Sequence, residues 1–551
     1  MKRNIRIILA ITTVLFMCLA LVACGSVNTS TKAGLVESEW VTEDVEGDET
    51  ACTIKKYNGY ATNVVIPDSC EGKIVVGIGD GAFMNNRTMM AVSVPDTITE
   101  IGVGAFDGCT YMRSFHIGAF IRTIGEGAFA NCTDIRTFTI DKRNEWYAVE
   151  NNCILEKETK KLLATCKFSK MPSSDSYTSI ASFAFAGSPL LTAVKSAYSD
   201  PAVNKNGLVE VVIPDTVTEI GRCAFTNCPK LTEAVLPKTL KKIGKDLFWN
   251  APLKKVTLYK NALKSLDKDK IESVTLLGAT EITKDDFREY TALKTLVLPD
   301  TVTKIAEGAF YGCSSLSSVT LPFVGGVKNA DETNESCLFG YVFGKSSYDK
   351  AIGITQTIQK SGNEKTFAQY YIPQTLKRVT ILGGNVRDGA FYNCKYLETV
   401  SLNVRKVGEY AFTYCESLKT VEFTSELEEV GIQAFYMCKN ISQVKVNAKE
   451  ETKEEEKYDE CVSAWCNVTF GNNYSNPLTY GKKWYVENEE IGTLVIPETV
   501  KEIKSYAFYN AESLKNLTLP ATVTQIGTNA FYGCTGLGKI ENRSALVVSV
   551  K

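Results

Sequence analysis

Apolar residues along most of this chain recur with a spacing that belongs neither to a helix nor to a simple hairpin. In residues 293–313, LKTLVLPDTVTKIAEGAFYGC, they fall at positions 1, 4, 6, 10, 13, 17, 18 and 21 of a 23-residue unit. Residues 514–534, LKNLTLPATVTQIGTNAFYGC, repeat the unit more than 200 residues later. An amphipathic helix needs a 3.6-residue period and a half-buried strand a period of two. A long repeat with one short alternating stretch instead predicts one coil of a solenoid, whose inward residues need neighbours above and below.

The signature L-x-x-V-x-L that opens the unit recurs, with conservative exchanges, from Ala61 to Leu537. Rungs begin at Ala61, Met89, Met112, Ile135, Leu191, Leu208, Leu231, Leu253 and Ile271, and then from Leu293 through Leu316, Leu376, Leu397, Leu418, Ile441, Ile491 and Leu514 to Leu537. A phenylalanine marks the second half of most coils, from Phe83 to Phe531. Within a coil, Leu296 and Leu298 face inward while Thr295 and Val297 face outward, because strand side chains alternate. Pro299 ends the strand, since it has no N–H for a ladder. Val302 and Ile305 make a second apolar contact, and a glycine such as Gly221 or Gly527 permits a bend. Ala309 and Phe310 then sit in a short helical turn that closes at Cys313. Stacked phenylalanines are expected at about one strand spacing, ~4.8 Å.

This unit resembles the BspA-like leucine-rich repeats of bacterial surface proteins, over about residues 60–540. The resemblance implies a leucine-rich repeat solenoid, mostly β with short helical turns, built as a single elongated array with inserted hairpins. It also implies adhesion or host interaction as the class of function, without shared catalytic residues and without naming a ligand.

The register breaks in a few places. Inserts are expected near 141–180, 322–375 and 447–490, and a degenerate coil between Phe248 and Phe287. The stretch SAYSDPAVNKNG (residues 196–207) reads as a loop. The last insert opens with the charge run KEETKEEEK, a solvated loop or short helix. It then carries Trp465, Tyr474 and Trp484, which either fill the core of an inserted hairpin or offer rigid contact area to a ligand. The outward strand positions form two columns. One runs through Ser273, Thr295, Ser318, Arg378, Thr399 and Thr420, the other through Thr275, Thr320, Thr380 and Ser401. Threonine is a good strand former on a wet face. The same columns would also make a flat, uncharged, hydrogen-bonding surface, so Thr295, Thr320, Thr380, Thr399 and Thr420 are candidate ligand contacts beside Trp465, Tyr474 and Trp484. These columns hold no aromatic row.

Composition narrows the chemistry. The single histidine, His116, falls at an outward strand position and lowers the expectation of acid–base catalysis or metal binding. No cofactor, metal or catalytic residue is expected, and the protein is not read as an enzyme. A hydrolytic or carbohydrate-active enzyme is the remote alternative. Of 18 cysteines, eight share one repeat position, among them Cys109, Cys313, Cys415 and Cys534. They read as small buried residues in a ladder, with disulfides between adjacent coils as the alternative. Free thiols in an exported protein would suit an anoxic or reducing habitat.

Residues 1–24, MKRNIRIILAITTVLFMCLALVAC, start basic and run apolar before Leu21-Val22-Ala23-Cys24. This resembles a bacterial lipoprotein signal, which implies cleavage before Cys24 and diacylation of its thiol. Residues 24–34 then form a flexible tether, 35–60 an N-terminal cap and 61–551 the solenoid. Losing Lys2, Arg3 and Arg6 with the signal leaves 58 of the 61 basic residues against 63 acidic ones, a balance of −5. That excludes a general nucleic-acid or anionic-membrane surface. The expected protein is a monomer, extracytoplasmic and lipid-anchored, that binds a protein or glycoprotein. A structural scaffold of the bacterial envelope is the alternative. The anchor has a direct test: the Cys24→Ala protein is expected in the culture medium, and its retention in the membrane fraction would refute lipidation.

Overall fold

The computed structural model describes residues 39–187, 208–328, 334–359 and 365–550. Cys24 and the signal, the rung at Leu191 and the loop that follows it lie outside the described residues.

Each expected rung within the described residues forms a short parallel strand. The longest sheet has twelve strands and runs from Glu210–Val212 to Trp484–Val486, with Glu489–Glu490 at its edge. Its inward positions are closed off from solvent: Leu296 and Leu298, for example, are 0% exposed. A second, narrower ladder uses two-residue strands such as Glu219–Ile220, Lys242–Ile243 and Lys304–Ile305. The third side of each coil differs from the expected helical turn. It is a series of single turns closed by bonds from residue i to i−3, such as Ala309 N–H to Ala306 O at 3.2 Å and Cys313 N–H to Phe310 O at 3.2 Å.

This turn side shows why the repeat letters are what they are. The Phe N–H donates to the alanine carbonyl one coil on: Phe83 to Ala105 at 2.7 Å, Phe412 to Ala434 at 2.7 Å and Phe508 to Ala530 at 2.8 Å. The rings stack, Phe391 on Phe412 at 4.8 Å and Phe412 on Phe435 at 5.2 Å, with interplanar angles of 8° and 2°. The repeat cysteines other than Cys394 point back: Cys132 Sγ donates to Phe106 O at 3.0 Å, Cys313 to Phe287 O at 3.1 Å, and Cys438 to Phe412 O at 3.0 Å. A small apolar residue with one weak donor fits this slot. No disulfide joins cysteines among the described residues. The residue before the cysteine takes a left-handed backbone, as at Asn227 (φ 53°) and Gly533 (φ 78°), which favours the Asn or Gly found at most of these positions, Tyr414 and Met437 being the others. Gly221 and Gly527 serve close approach rather than bending: a Cβ there would collide with the backbone amides of Ser182 and Ser505.

The first coil is covered by an antiparallel hairpin, Trp40–Val45 with Asp48–Tyr57. Its turn is at Glu46-Gly47. Trp40 and Tyr57 extend the aromatic ladder onto Phe83, with Tyr57 5.2 Å from Phe83. The first insert is a three-strand meander, Tyr147–Glu150, Cys153–Glu156 and Lys161–Ala164, which joins the narrow ladder at Ser179–Ile180. The second contains the hairpin of Ala351–Gln359 and Lys365–Pro373. The third departs from a hairpin: it contains a helix, Lys457–Cys466, and a further rung, Trp484–Val486. The charge run before that helix is exposed, as expected.

Burial raises the thiols of Cys153, Cys313 and Cys534 from an ordinary value of 9.0 to about 12. In the unfolded chain these groups ionise from about pH 9, so the folded state holds protons that the unfolded state has lost. Their stabilisation is complete below pH ~9 and is lost as pH rises through ~12. The urea midpoint is expected to fall steadily between those limits, and Cys313→Ala should flatten the slope. A midpoint independent of pH over that range would show that the ladder thiols are not buried as described.

Candidate binding surface

Two exposed features could hold a ligand: the outward face of the long sheet and a row of rings on the turn side. On the sheet, register places the outward residues in two columns. Ser273 pairs with Thr295, Thr295 with Ser318, Ser318 with Arg378, Arg378 with Thr399, and Thr399 with Thr420. Beside them Thr275, Val297, Thr320, Thr380 and Ser401 pair in turn. All five candidate threonines therefore share one face and are half-buried. Ion pairs bound this field, Lys255 with Glu233 at 3.0 Å on one side and Lys445 with Glu422 at 3.5 Å on the other. Between them Arg378 is the charged member of the two columns. His116 lies in the outward column of another sheet segment, with Nδ1 2.9 Å from Thr139 Oγ1.

The second insert does not interrupt this face, since Thr320 pairs directly with Thr380 across it. The insert instead fills the core behind. Phe343 packs on Phe310 at 5.7 Å and Phe339 on Phe391 at 4.6 Å, so its own rings continue the ladder. Gln356, fully buried, accepts from Gly340 N–H at 2.8 Å and donates to Ala390 O at 2.7 Å. Ala390 O also takes the regular ladder bond from Phe339 N–H at 3.0 Å, so the amide satisfies Gly340 N–H and adds a second donor at Ala390 O.

The same principle corrects two candidate contacts. Trp465 and Trp484 are 1% and 0% exposed and touch no ligand space. Trp484 pairs in register with Val444, an inward position, and so points into the core. Trp465 sits on the inner side of the helix and donates from Nε1 to Ala507 O at 2.7 Å. Together they carry the aromatic ladder from Phe423 to Phe508, with Trp465 6.2 Å from Trp484 and Trp484 5.3 Å from Phe508.

Tyr474 behaves differently. It is half-buried and packs 5.2 Å from Tyr436, which lies 6.3 Å from Tyr414, which lies 5.7 Å from Tyr392. Tyr509 follows, its hydroxyl pushed up by burial with Tyr474 and Tyr532 close by, and Tyr532 stacks on it at 5.3 Å. The result is a row of tyrosines on the turn side. A cleft of about 300 Å³ opens along it, lined by Tyr392, Tyr410, Tyr414, Tyr436 and Gln433 and faced by Phe367 of the inserted hairpin, which is 67% exposed. The sequence reading missed the row. Its signal was the residue just after the ladder phenylalanine, Tyr392, Tyr436, Tyr509 and Tyr532, hidden inside a motif read as core. Among the described residues no group of three or more His, Cys, Asp or Glu could hold a metal ion.

A family model described as BspA type leucine-rich repeat region, six copies, matches residues 76–153, 199–277, 280–338, 384–480 and 478–548, more than half of the chain. The chain belongs to the BspA-type leucine-rich repeat family. No curated protein matches it. Among solved structures it is similar to a leucine-rich repeat protein from Bacteroides ovatus, at 19% identity over 92% of this chain and 94% of that one (TM-score 0.22). It is also similar to a leucine-rich cell surface protein from Faecalibacterium prausnitzii, at 20% identity over 94% and 96% (TM-score 0.19). The pneumococcal vaccine antigen PcpA matches at 11% identity over 79% and 96% (TM-score 0.23).

The burial of Trp484 makes a prediction. Trp484→Ala should destabilise this BspA-type chain by about 3–5 kcal/mol, the cost of a large core deletion. Its urea midpoint measures this. A loss below about 1 kcal/mol would place the ring outside the core.

Proposed function

We propose that this protein is displayed on the cell surface, tethered by a lipid on Cys24, and binds a protein or glycoprotein in an adhesive role. The tyrosine row with its cleft is the observation that supports this most. Half-exposed tyrosines offer large contact area at low entropic cost, and such rings dominate binding energy where they occur at interfaces. Here they stand on coils whose core and ladder hold them in place before any ligand arrives, which lowers the ordering cost of binding. The Ser/Thr field, with Thr295, Thr320, Thr380, Thr399 and Thr420, adds a wet, hydrogen-bonding face for a second part of a large partner.

The test uses the chain from residue 35 onward, immobilised and exposed to mucin and to host matrix proteins. The intact chain is expected to retain one of them, and Tyr414→Ala with Tyr436→Ala should weaken retention by at least about tenfold, the loss of one good hot spot. Thr320→Lys with Thr399→Lys should weaken it less. Unchanged binding in the tyrosine variant would rule out the row as the site. Retention of a bacterial envelope protein alone would replace adhesion with an envelope scaffold.

A further inference from the structure

Among the described residues the repeat is interrupted once by shortening rather than by insertion. The coil that starts at Leu253 gives way to the next at Ile271, with the strand Lys255–Tyr259 and the turn Lys260–Ser265 between them. It contributes to the long sheet but has no narrow-ladder strand and no Ala-Phe turn of its own. The narrow ladder therefore stops at Lys242–Ile243, the last strand of its sheet, and resumes at Glu281–Ile282 in a separate one.

The missing segment leaves a row of backbone groups without ladder partners. In the preceding coil, Thr218 O accepts from Lys241 N–H at 2.7 Å and Ile220 O from Gly244 N–H at 2.8 Å. The N–H groups of Cys223, Phe225 and Asn227 there donate to Lys245, Leu247 and Trp249 at 3.1, 2.9 and 3.0 Å. One coil on, the equivalent groups are the carbonyls of Lys241 and Ile243 and the N–H groups of Asp246, Phe248 and Asn250. Among the described residues none of these has a partner from the following coil. The side-chain ladder breaks with them. Phe225 stacks on Phe248 at 5.5 Å, but no ring contact joins Phe248 to Phe287 among the described residues, and Phe248 is half-buried where Phe225 is 0% exposed.

The space left is a cleft of about 560 Å³. Its floor is apolar, with Ile243, Leu247, Phe248, Leu253 and Ile271, and Trp249 stands at its lip, 60% exposed. Its rim is basic. Lys241, Lys245 and Lys264 are exposed and make no ion pair among the described residues, while Lys270 is held by Asp267 at 2.9 Å. Asp246 is the other acidic group on the rim.

We propose that this notch binds an acidic segment of a partner protein, which adds a short strand beside Lys242–Ile243 and follows the turn side in place of the missing coil. Its amides donate to the carbonyls of Lys241 and Ile243, and its carbonyls accept from Asp246, Phe248 and Asn250. Strand addition at an open edge draws affinity from such main-chain bonds and specificity from alternate side chains. Alternation sends one set of side chains onto Phe248 and Leu253 and the other out toward the rim. Three unpaired lysines there select Asp and Glu over Lys and Arg by complementarity. The site is separate from the tyrosine row, and the proposal does not rest on adhesion.

The experiment titrates the chain from residue 35 onward with a short fluorescein-labelled peptide that alternates Asp or Glu with Val, Leu and Phe, read by fluorescence anisotropy. Saturable binding is expected. Replacing the acids by Lys, or N-methylating alternate amides, should each weaken it at least tenfold. So should Lys245→Glu with Lys264→Glu, two exposed positions whose substitution leaves the melting curve unchanged. The Tyr414→Ala, Tyr436→Ala protein should bind the peptide as the wild type does. Equal binding of the N-methylated peptide, or displacement by decanoate without any effect of N-methylation, would replace strand addition with a simple site for an amphiphilic anion and overturn the proposal. So would a dimer in sedimentation equilibrium that Lys245→Glu with Lys264→Glu dissociates, since the notch would then hold a second copy.

Discussion

Along the described array, a regular coil completes its ladder bonds through the coils beside it. The turn-side N–H of a ladder phenylalanine has its acceptor on the next coil, as from Phe412 to Ala434, and the cysteine thiol has its acceptor on the previous one, as from Cys438 to Phe412. The rings between them stack at near-strand spacing. A coil is therefore stable only when both of its faces are covered, and stability is a sum over neighbours rather than a property of one centre. The ends, the inserts and any gap are the places where this requirement must be met by something other than the repeat.

The structure meets it in different ways. At the N-terminal end, the hairpin with Trp40 and Tyr57 covers the first ring of the ladder. Inside the array, inserts supply substitutes for coil parts. Gln356 ties the insert to the coil beside it with a side-chain amide, from Gly340 N–H to Ala390 O, and Tyr147 bridges backbone groups with its hydroxyl, which donates to Arg122 O and accepts from Ile124 N–H. Trp465 and Trp484 replace missing phenylalanines. At the shortened coil after Leu253, nothing in the described chain takes the open ladder positions. The same rule that buries the tryptophans thus leaves the notch basic, apolar-floored and edged with unpaired backbone groups.

The two candidate side-chain surfaces use letters that the ladder does not. On the long sheet these are the outward columns, where register alone aligns Thr295 with Ser318 and Thr399 with Thr420. On the turn side Tyr392, Tyr436, Tyr509 and Tyr532 stand just after the ladder phenylalanine, while Tyr414, just before Cys415, and Tyr474 of the third insert complete the row. Both surfaces are rigid for the same reason: the residues beneath them are fully closed and cannot rearrange without breaking bonds to two neighbours.

Periodicity is a local property of the chain, so the sequence by itself determined the coil, the inward Leu, Phe and Cys positions, the outward threonine columns and the places where the register fails. Each follows from which letters repeat every 23 residues and from strand alternation. What lies between repeats is not local. Whether Trp484 faces a ligand or the core depends on its pairing with Val444, forty residues earlier in the chain, and only the fold shows that pairing. The tyrosines become a row only when coils stack and bring Tyr436 against Tyr474. The short step from Leu253 to Ile271 is written in the sequence, but the open backbone edge it leaves beside Lys242–Ile243 shows only once the coils are stacked. Tertiary structure decided these because each is a relation between coils, set by packing distance rather than by the order of residues along one coil.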